Sequence, residues 1–267
     1  MRDVVERALP DLLQLAIKEV GEDPFARVNE GTSFAQPALY CASVALWTEA
    51  GKPEADFFAG HSLGELAALV AAGVLSAEDG LVLAVRRGQI MQAAGEAAPD
   101  GGMLALIGDG KIARQVAADH SLTVANDNAP AQVVLSGGLD ARELAATDAK
   151  SRGLKAAQLP VAGAFHSPAM ESAVPEFEQV LAEVEIHAPR TVAISSTTAE
   201  PFDDVRKRLA DALVRPVRWR ETLLALDGVG ARRYVEVGPG KVLRGLVRRT
   251  LPDSEAAALG VLAATHA

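Results

Sequence analysis

Apolar positions recur along the chain at two spacings, and those spacings assign its elements. Residues 3–20 place Val4, Val5, Leu9, Leu12, Leu13, Ala16 and Val20 at helical intervals, which predicts one amphipathic helix. A second, mostly buried helix is predicted over residues 36–50. The apolar run Ala55-Asp56-Phe57-Phe58-Ala59 reads as a buried strand. Residues 63–72 have no breaker after Gly64 and read as a helix. Ser76, with Asp79 three residues on, marks the capped start of a helix over 77–94.

The pattern changes between residues 99 and 163. Short strands are predicted over 103–107, 122–125, 132–135 and 154–161, with helices over 109–119 and 139–152. The order is β-α-β-β-α-β, the split βαβ arrangement of a ferredoxin-like module. The expected organisation is an α/β core with a parallel sheet, formed by residues 1–98 and 164–267, with 99–163 inserted as a small subdomain. In the returning half, helices are predicted over 170–184, 203–214, 219–226 and 241–249, and strands over 191–195 and 233–237. The Ala-rich tail after Pro252 carries no pattern.

Composition narrows the function. Apolar residues make up 49% of the 267 positions and the formal net charge is −9, which argues against a general nucleic-acid binder. The single cysteine, Cys41, lies in an apolar run and is expected to be a buried small hydrophobe. No internal disulfide is possible, so a cytoplasmic setting is expected. No apolar run is long enough for a membrane span, and the charged first residues do not read as a signal peptide.

The candidate chemistry starts at Gly60-His61-Ser62-Leu63-Gly64. A strand, Gly-x-Ser-x-Gly and a helix make the setting of a nucleophile elbow, which displays a serine hydroxyl beside a helix N-terminus. Gly60 and Gly64 are expected to let the turn pack closely. A serine needs a base, and five histidines are available: His61, His120, His166, His187 and His266. His61 adjoins Ser62 and points off the elbow. His120 reads as a solvent-facing helix end. His166 sits in Gly163-Ala164-Phe165-His166-Ser167-Pro168, where the chain returns from the small subdomain, a natural wall for a cleft. These residues alone leave a catalytic and an ordinary loop histidine both open.

The chain resembles the malonyl-CoA:acyl-carrier-protein transacylases, the acyltransferase family of fatty-acid and polyketide synthesis. The resemblance is carried by Gln36-Pro37-Ala38, the Gly60 to Glu65 motif, Arg87-Gly88 with Met91-Gln92, Asn126 through Gln132 to Gly137, Gly163 to His166, Pro216-Val217-Arg218-Trp219, and Glu236 to Leu243. It implies a hydrolase-like α/β core with a ferredoxin-like insertion, and transfer of malonyl from malonyl-CoA to the phosphopantetheine thiol of holo acyl carrier protein. Ser62 then matches the acylated nucleophile and His166 its base, oriented by a main-chain carbonyl near Ala212. Arg87 matches the malonyl-carboxylate ligand, Leu63 an oxyanion donor, and Phe165, next to His166, the malonyl-selecting position; His61 is counted with them as a substrate-binding residue.

No metal or cofactor is implied. Arg244, Arg248, Arg249, Lys111, Lys150, Arg152 and Lys155 are candidates for docking an acidic carrier protein, and a monomer is the simple expectation. The family also opens with a strand and a Gly-Gln-Gly-Ser-Gln loop that this sequence lacks. A chain start placed too late is expected, the alternative being a truncated, weakly active or inactive relative that only docks carrier protein. A serine esterase or thioesterase is the other alternative. A phosphate-loop reading of Val237 to Val242 fails, because no Ser or Thr follows Lys241.

Overall fold

A computed structural model of the chain describes residues 1–259. The amphipathic N-terminal stretch forms two helices, α1 (Arg2–Ala8) and α2 (Pro10–Val20), where one was expected. Pro10 is the reason. A proline disfavours helical backbone in the residue before it, and Leu9 sits at φ −145°, ψ 63°. α3 (Thr32–Glu49) begins four residues earlier than its apolar pattern suggested and carries Pro37 in its second turn. Cys41 is buried on α3 and its thiol is pushed up to about 12 by that burial, as fits a packing residue.

Strand β1 (Phe57–Ala59) leads into the elbow, followed by α4 (Gly64–Ala71) and α5 (Ala77–Ala97). The Ser76 hydroxyl caps α5 by accepting from the Asp79 amide at 2.9 Å. The next elements are β2 (Gly101–Ile107), α6 (Gly110–Asp119), β3 (Thr123–Ala129), β4 (Gln132–Gly138), α7 (Leu139–Ser151) and β5 (Lys155–Gln158). These four strands form one antiparallel sheet in the order β3-β4-β2-β5, the strand order of a ferredoxin-like fold. Alternation sorts their side chains. Leu104 and Leu106 of β2 and Val133 and Leu135 of β4 pack with Val116 of α6 and Ala145 of α7. Met103, Ala105 and Val134 point the other way, into the main core.

A short 3-10 helix (Pro168–Ala173) and α8 (Val174–Glu183) follow, in place of one helix. The remaining elements are β6 (Val192–Ile194), α9 (Val205–Asp211), α10 (Trp219–Gly228), β7 (Arg233–Glu236), α11 (Val242–Thr250) and β8 (Glu255–Ala258). β8 falls in the tail that showed no pattern.

The parallel strands of the larger region form two pairs. β1 pairs with β6, Phe58 opposite Ala193, and β7 pairs with β8, Val235 opposite Ala257. A cavity of about 550 Å³ lies between the pairs, lined by Phe58 and Ala59 of β1, Tyr234 and Val235 of β7, Trp47 of α3 and Trp219 of α10. Among the described residues β1 and β7 each have one strand neighbour, so the sheet is interrupted at this cavity. Among the described residues no helix is long and apolar enough to cross a membrane.

Candidate active site

Ser62 sits between the end of β1 and the start of α4 with φ at +53°. A left-handed backbone at a non-glycine residue costs energy and recurs where a side chain must be aimed. The neighbouring glycines divide the work unequally. A Cβ on Gly60 would lie 2.0 Å from the Gly64 carbonyl carbon, so only glycine fits at 60. A Cβ on Gly64 would meet nothing within 4 Å, so the tight packing expected of both glycines holds at Gly60 alone. Beyond the turn, the amides of Gly64, Glu65 and Leu66 bond back to the carbonyls of His61, Ser62 and Leu63. The Leu63 amide precedes these at the end of the helix, where free N–H groups favour negative charge.

His166 comes to the same point from the loop after β5, also with a left-handed backbone at φ +57°. Its Nε2 is 2.8 Å from Ser62 Oγ and its Nδ1 is 2.8 Å from the Ala212 carbonyl oxygen. A carbonyl can only accept, so Nδ1 carries the hydrogen and Nε2 is left to accept from the serine hydroxyl. Burial, then the charge of Arg87 and the proximity of His61, push His166 down to about 3. It is therefore a neutral imidazole at neutral pH, the form a base requires.

Arg87 completes the cluster from α5. Its Nη2 donates to Ser62 Oγ at 3.0 Å and its Nη1 to Gln36 Oε1 at 2.8 Å. Gln36 in turn donates to Thr32 Oγ1 at 2.8 Å. This reach depends on close contact between α3 and α5. A Cβ on Gly88 would stand 2.9 Å from the Thr32 carbonyl oxygen, so glycine there lets the two helices approach. The guanidinium is buried, which lowers it to about 10, with the charge of Glu65 acting in the opposite sense.

The other expected site residues take different places. His61 faces away from the Ser62 hydroxyl: its Nε2 is 2.7 Å from Asn128 Oδ1, and its ring lies 5.6 Å from that of Trp219. Burial pushes it down as well. Phe165 is buried against Gly163, and its carbonyl accepts from Ser136 Oγ at 2.6 Å, so it fixes the His166 loop to β4. His120 does not face open solvent alone but pairs with Asp148 at 3.0 Å. His187 anchors a loop through its amide to the Val74 carbonyl, and His266 lies outside the described residues.

Of the basic candidates, Arg152 is paired with Asp119 and Asp148 and Arg244 with Glu236, while Arg249 donates to Gln132. Among the described residues no cluster of His, Cys, Asp or Glu could hold a metal ion. Sequence reasoning missed Gln36 and Asn128 as site members. Both lie inside motifs that carried the resemblance; Gln36 stands out as a polar residue between Ala35 and Pro37, whereas Asn128 follows the polar Asn126 and Asp127 and carries no such signal.

The 550 Å³ cavity lies behind the elbow. It touches Gly60 and Gly64, but Ser62, His166 and Arg87 do not line it. The hydrogen-bonded cluster, not cavity size, marks the chemistry. What the cluster offers is a serine hydroxyl with a neutral acceptor on one side and a fixed cation on the other.

Comparison with known proteins agrees with this geometry. The model of the family described as "Acyl transferase domain" matches residues 4–266. The polyketide biosynthesis malonyl CoA-acyl carrier protein transacylase PksC of Bacillus subtilis is 36% identical over 258 residues, covering 92% of this chain and 88% of the relative. The polyketide biosynthesis protein ThaF of Burkholderia thailandensis is 38% identical over 268 residues; the match covers 93% of this chain but only 23% of that longer protein. The solved malonyl CoA-acyl carrier protein transacylase of Coxiella burnetii superposes with a TM-score of 0.88 at 33% identity, covering 99% of this chain and 89% of the other.

Proposed function

This chain belongs to the acyl transferase domain family, and from that premise we propose that it moves a malonyl group from malonyl-CoA to the phosphopantetheine thiol of acyl carrier protein through a malonyl-Ser62 intermediate. The observation that carries the reading is the bracketing of Ser62 Oγ by His166 Nε2 at 2.8 Å and Arg87 Nη2 at 3.0 Å.

Each half of the reaction follows from that geometry. Neutral His166 takes the hydroxyl proton as Ser62 Oγ attacks the thioester carbon, and the Ala212 carbonyl stabilises the imidazolium that forms. The developing oxyanion lies at the N-terminus of α4, where the Leu63 amide serves as donor. Collapse of the tetrahedral species breaks the carbon–sulfur bond, and His166 returns its proton to the CoA sulfur.

The malonyl carboxylate remains on Arg87, whose planar guanidinium presents parallel donors to it. The carrier-protein thiol then enters, gives its proton to His166 and takes the acyl group by the same steps in reverse. Malonyl-CoA is a substrate, and the scheme uses no cofactor.

Arg87→Ala tests the acyl specificity. Malonyl loading of Ser62 is expected to fall by about 10²-fold or more, and acetyl loading by far less, because only malonyl brings a carboxylate to be paired. Equal losses for the two thioesters, measured by initial rates of loading, would remove Arg87 from the reading of the acyl group.

A further inference from the structure

Both outer nitrogens of the Arg87 guanidinium are held by neutral groups: Nη2 donates to Ser62 Oγ at 3.0 Å and Nη1 to Gln36 Oε1 at 2.8 Å. Gln36 lies in the second turn of α3 and is buried, as is Arg87 on α5. A guanidinium has only donors, so the oxygen of the Gln36 amide must face it. The nitrogen end is taken as well. Gln36 Nε2 donates to Thr32 Oγ1 at 2.8 Å and lies 3.5 Å from Met91 Sδ. Thr32 is pinned in turn, its amide donating to Gln92 Oε1 at 3.0 Å. A chain of bonds therefore runs from Gln92 of α5 through Thr32 and Gln36 of α3, back to Arg87 of α5, and ends on the Ser62 hydroxyl.

The second observation concerns charge. Among the described residues Arg87 makes no ion pair. Glu65, the buried carboxyl in the first turn of α4, accepts from the Ser196 amide at 2.6 Å and from the Ser195 and Ser196 hydroxyls, so its bonds go there and not to Arg87. A buried cation bonded only to neutral groups keeps its charge for an incoming anion. We propose that Gln36 is a positioning residue that sets the acyl preference of this site: it aims the guanidinium at Ser62 and leaves the charge of Arg87 to a carboxylate carried by the acyl group. This rests on the malonyl-transfer reading.

The choice of side chain follows from two requirements. A carboxylate at position 36 would aim Arg87 equally well, but it would form a buried charge-assisted pair and compete with the acyl carboxylate for the same donors. An apolar side chain of similar length would leave the charge free but would let the guanidinium turn away from Ser62. Glutamine meets both requirements. Gly88 makes the contact possible: a Cβ there would lie 3.4 Å from Gln36 Cβ and 2.9 Å from the Thr32 carbonyl oxygen, so glycine brings this turn of α3 within reach of Arg87.

The experiment measures initial rates of Ser62 loading by intact mass with malonyl-CoA and with acetyl-CoA. The ratio of the two rates cancels the attack by Ser62 and the proton transfer to His166, which both substrates share. Gln36→Glu keeps the size and shape of the side chain and adds a charge. It is expected to lower the malonyl-to-acetyl ratio about tenfold or more, because its carboxylate occupies Arg87 in place of the acyl carboxylate. Gln36→Met, of similar length and without an oxygen to accept from Arg87, is expected to lower the ratio roughly three- to tenfold. Thr32→Val removes the acceptor that orients the Gln36 amide and leaves Gln36 and Arg87 in place, so a smaller fall of about twofold is expected.

Variants that slow both substrates alike and keep the wild-type ratio would overturn the proposal, since that is what a purely structural tie between α3 and α5 would do. If Gln36→Glu does not fold, Gln36→Met and Thr32→Val decide the matter, and an unchanged ratio in both overturns the proposal. Arg87→Ala separates this inference from the reading beneath it. A ratio that collapses in Arg87→Ala but holds in the Gln36 variants removes the role of Gln36 alone. A ratio that Arg87→Ala does not move overturns the malonyl reading and this proposal together.

Discussion

The two sheet regions of this protein are built to different standards of completeness. The four-stranded sheet of β2 to β5 is continuous, and its central strands are buried on both faces by α6 and α7 on one side and the main core on the other. The parallel sheet that holds Ser62 is interrupted, with three-residue strands β1 and β6 separated from β7 and β8 by a 550 Å³ cavity. All three residues of β1 are only partly buried, whereas five consecutive residues of β2 are buried. The continuous sheet supplies rigidity, and its β4 anchors the His166 loop through Ser136. The interrupted one supplies position: its strand ends hold the left-handed turn at Ser62. Stability and chemistry are thus drawn from different parts of the chain.

The comparison breaks most easily at Gly60. Gly60→Ala sets a Cβ into the Gly64 backbone at 2.0 Å, and neither main-chain segment can yield without moving Ser62. Acyl loading is expected to be lost, with a thermal midpoint well below wild type; a variant that loads at the normal rate would show that the elbow tolerates displacement.

Paired truncations sharpen the contrast in completeness. Leu135→Ala, in the continuous sheet at 0% exposure, should cost about 2–5 kcal/mol in denaturant unfolding. Phe58→Ala, on β1 beside the cavity, should cost well under the about 3–5 kcal/mol of a fully packed phenylalanine, because one side of its ring already lacks neighbours. Equal large losses would mean that the interrupted sheet is packed as tightly as the other. The smallest effect is expected at Gly64→Ala. That site is open and helical, so the change should leave loading intact and add up to about 1 kcal/mol of stability.

What the chain made legible follows the distance over which each feature is specified. Ser62 and its elbow are local, written in five adjacent residues with a strand before and a helix after. The βαββαβ order was readable because each of its elements carries its own period. β8 was not, since Glu255 to Ala258 have little strand preference, and the pairing with β7 overrides it. The break at Leu9 was signalled by Pro10, which the apolar spacing around it masked.

At the site, Arg87 could be placed only by resemblance. Its contact with Ser62 depends on α5 approaching α3 at Gly88, a packing fact that no local pattern states. The bonds from Ser195 and Ser196 to Glu65 join residues 130 and 131 positions apart, and nothing in either segment announces the other.

The central claim is that Ser62 carries the acyl group between CoA and carrier protein. The most direct test is peptide mapping after brief incubation with malonyl-CoA, followed by addition of holo acyl carrier protein. The account predicts a malonyl adduct on the peptide containing Ser62, its discharge to the carrier thiol, and no adduct in Ser62→Ala. An adduct on another residue, or one that survives in Ser62→Ala, would contradict it.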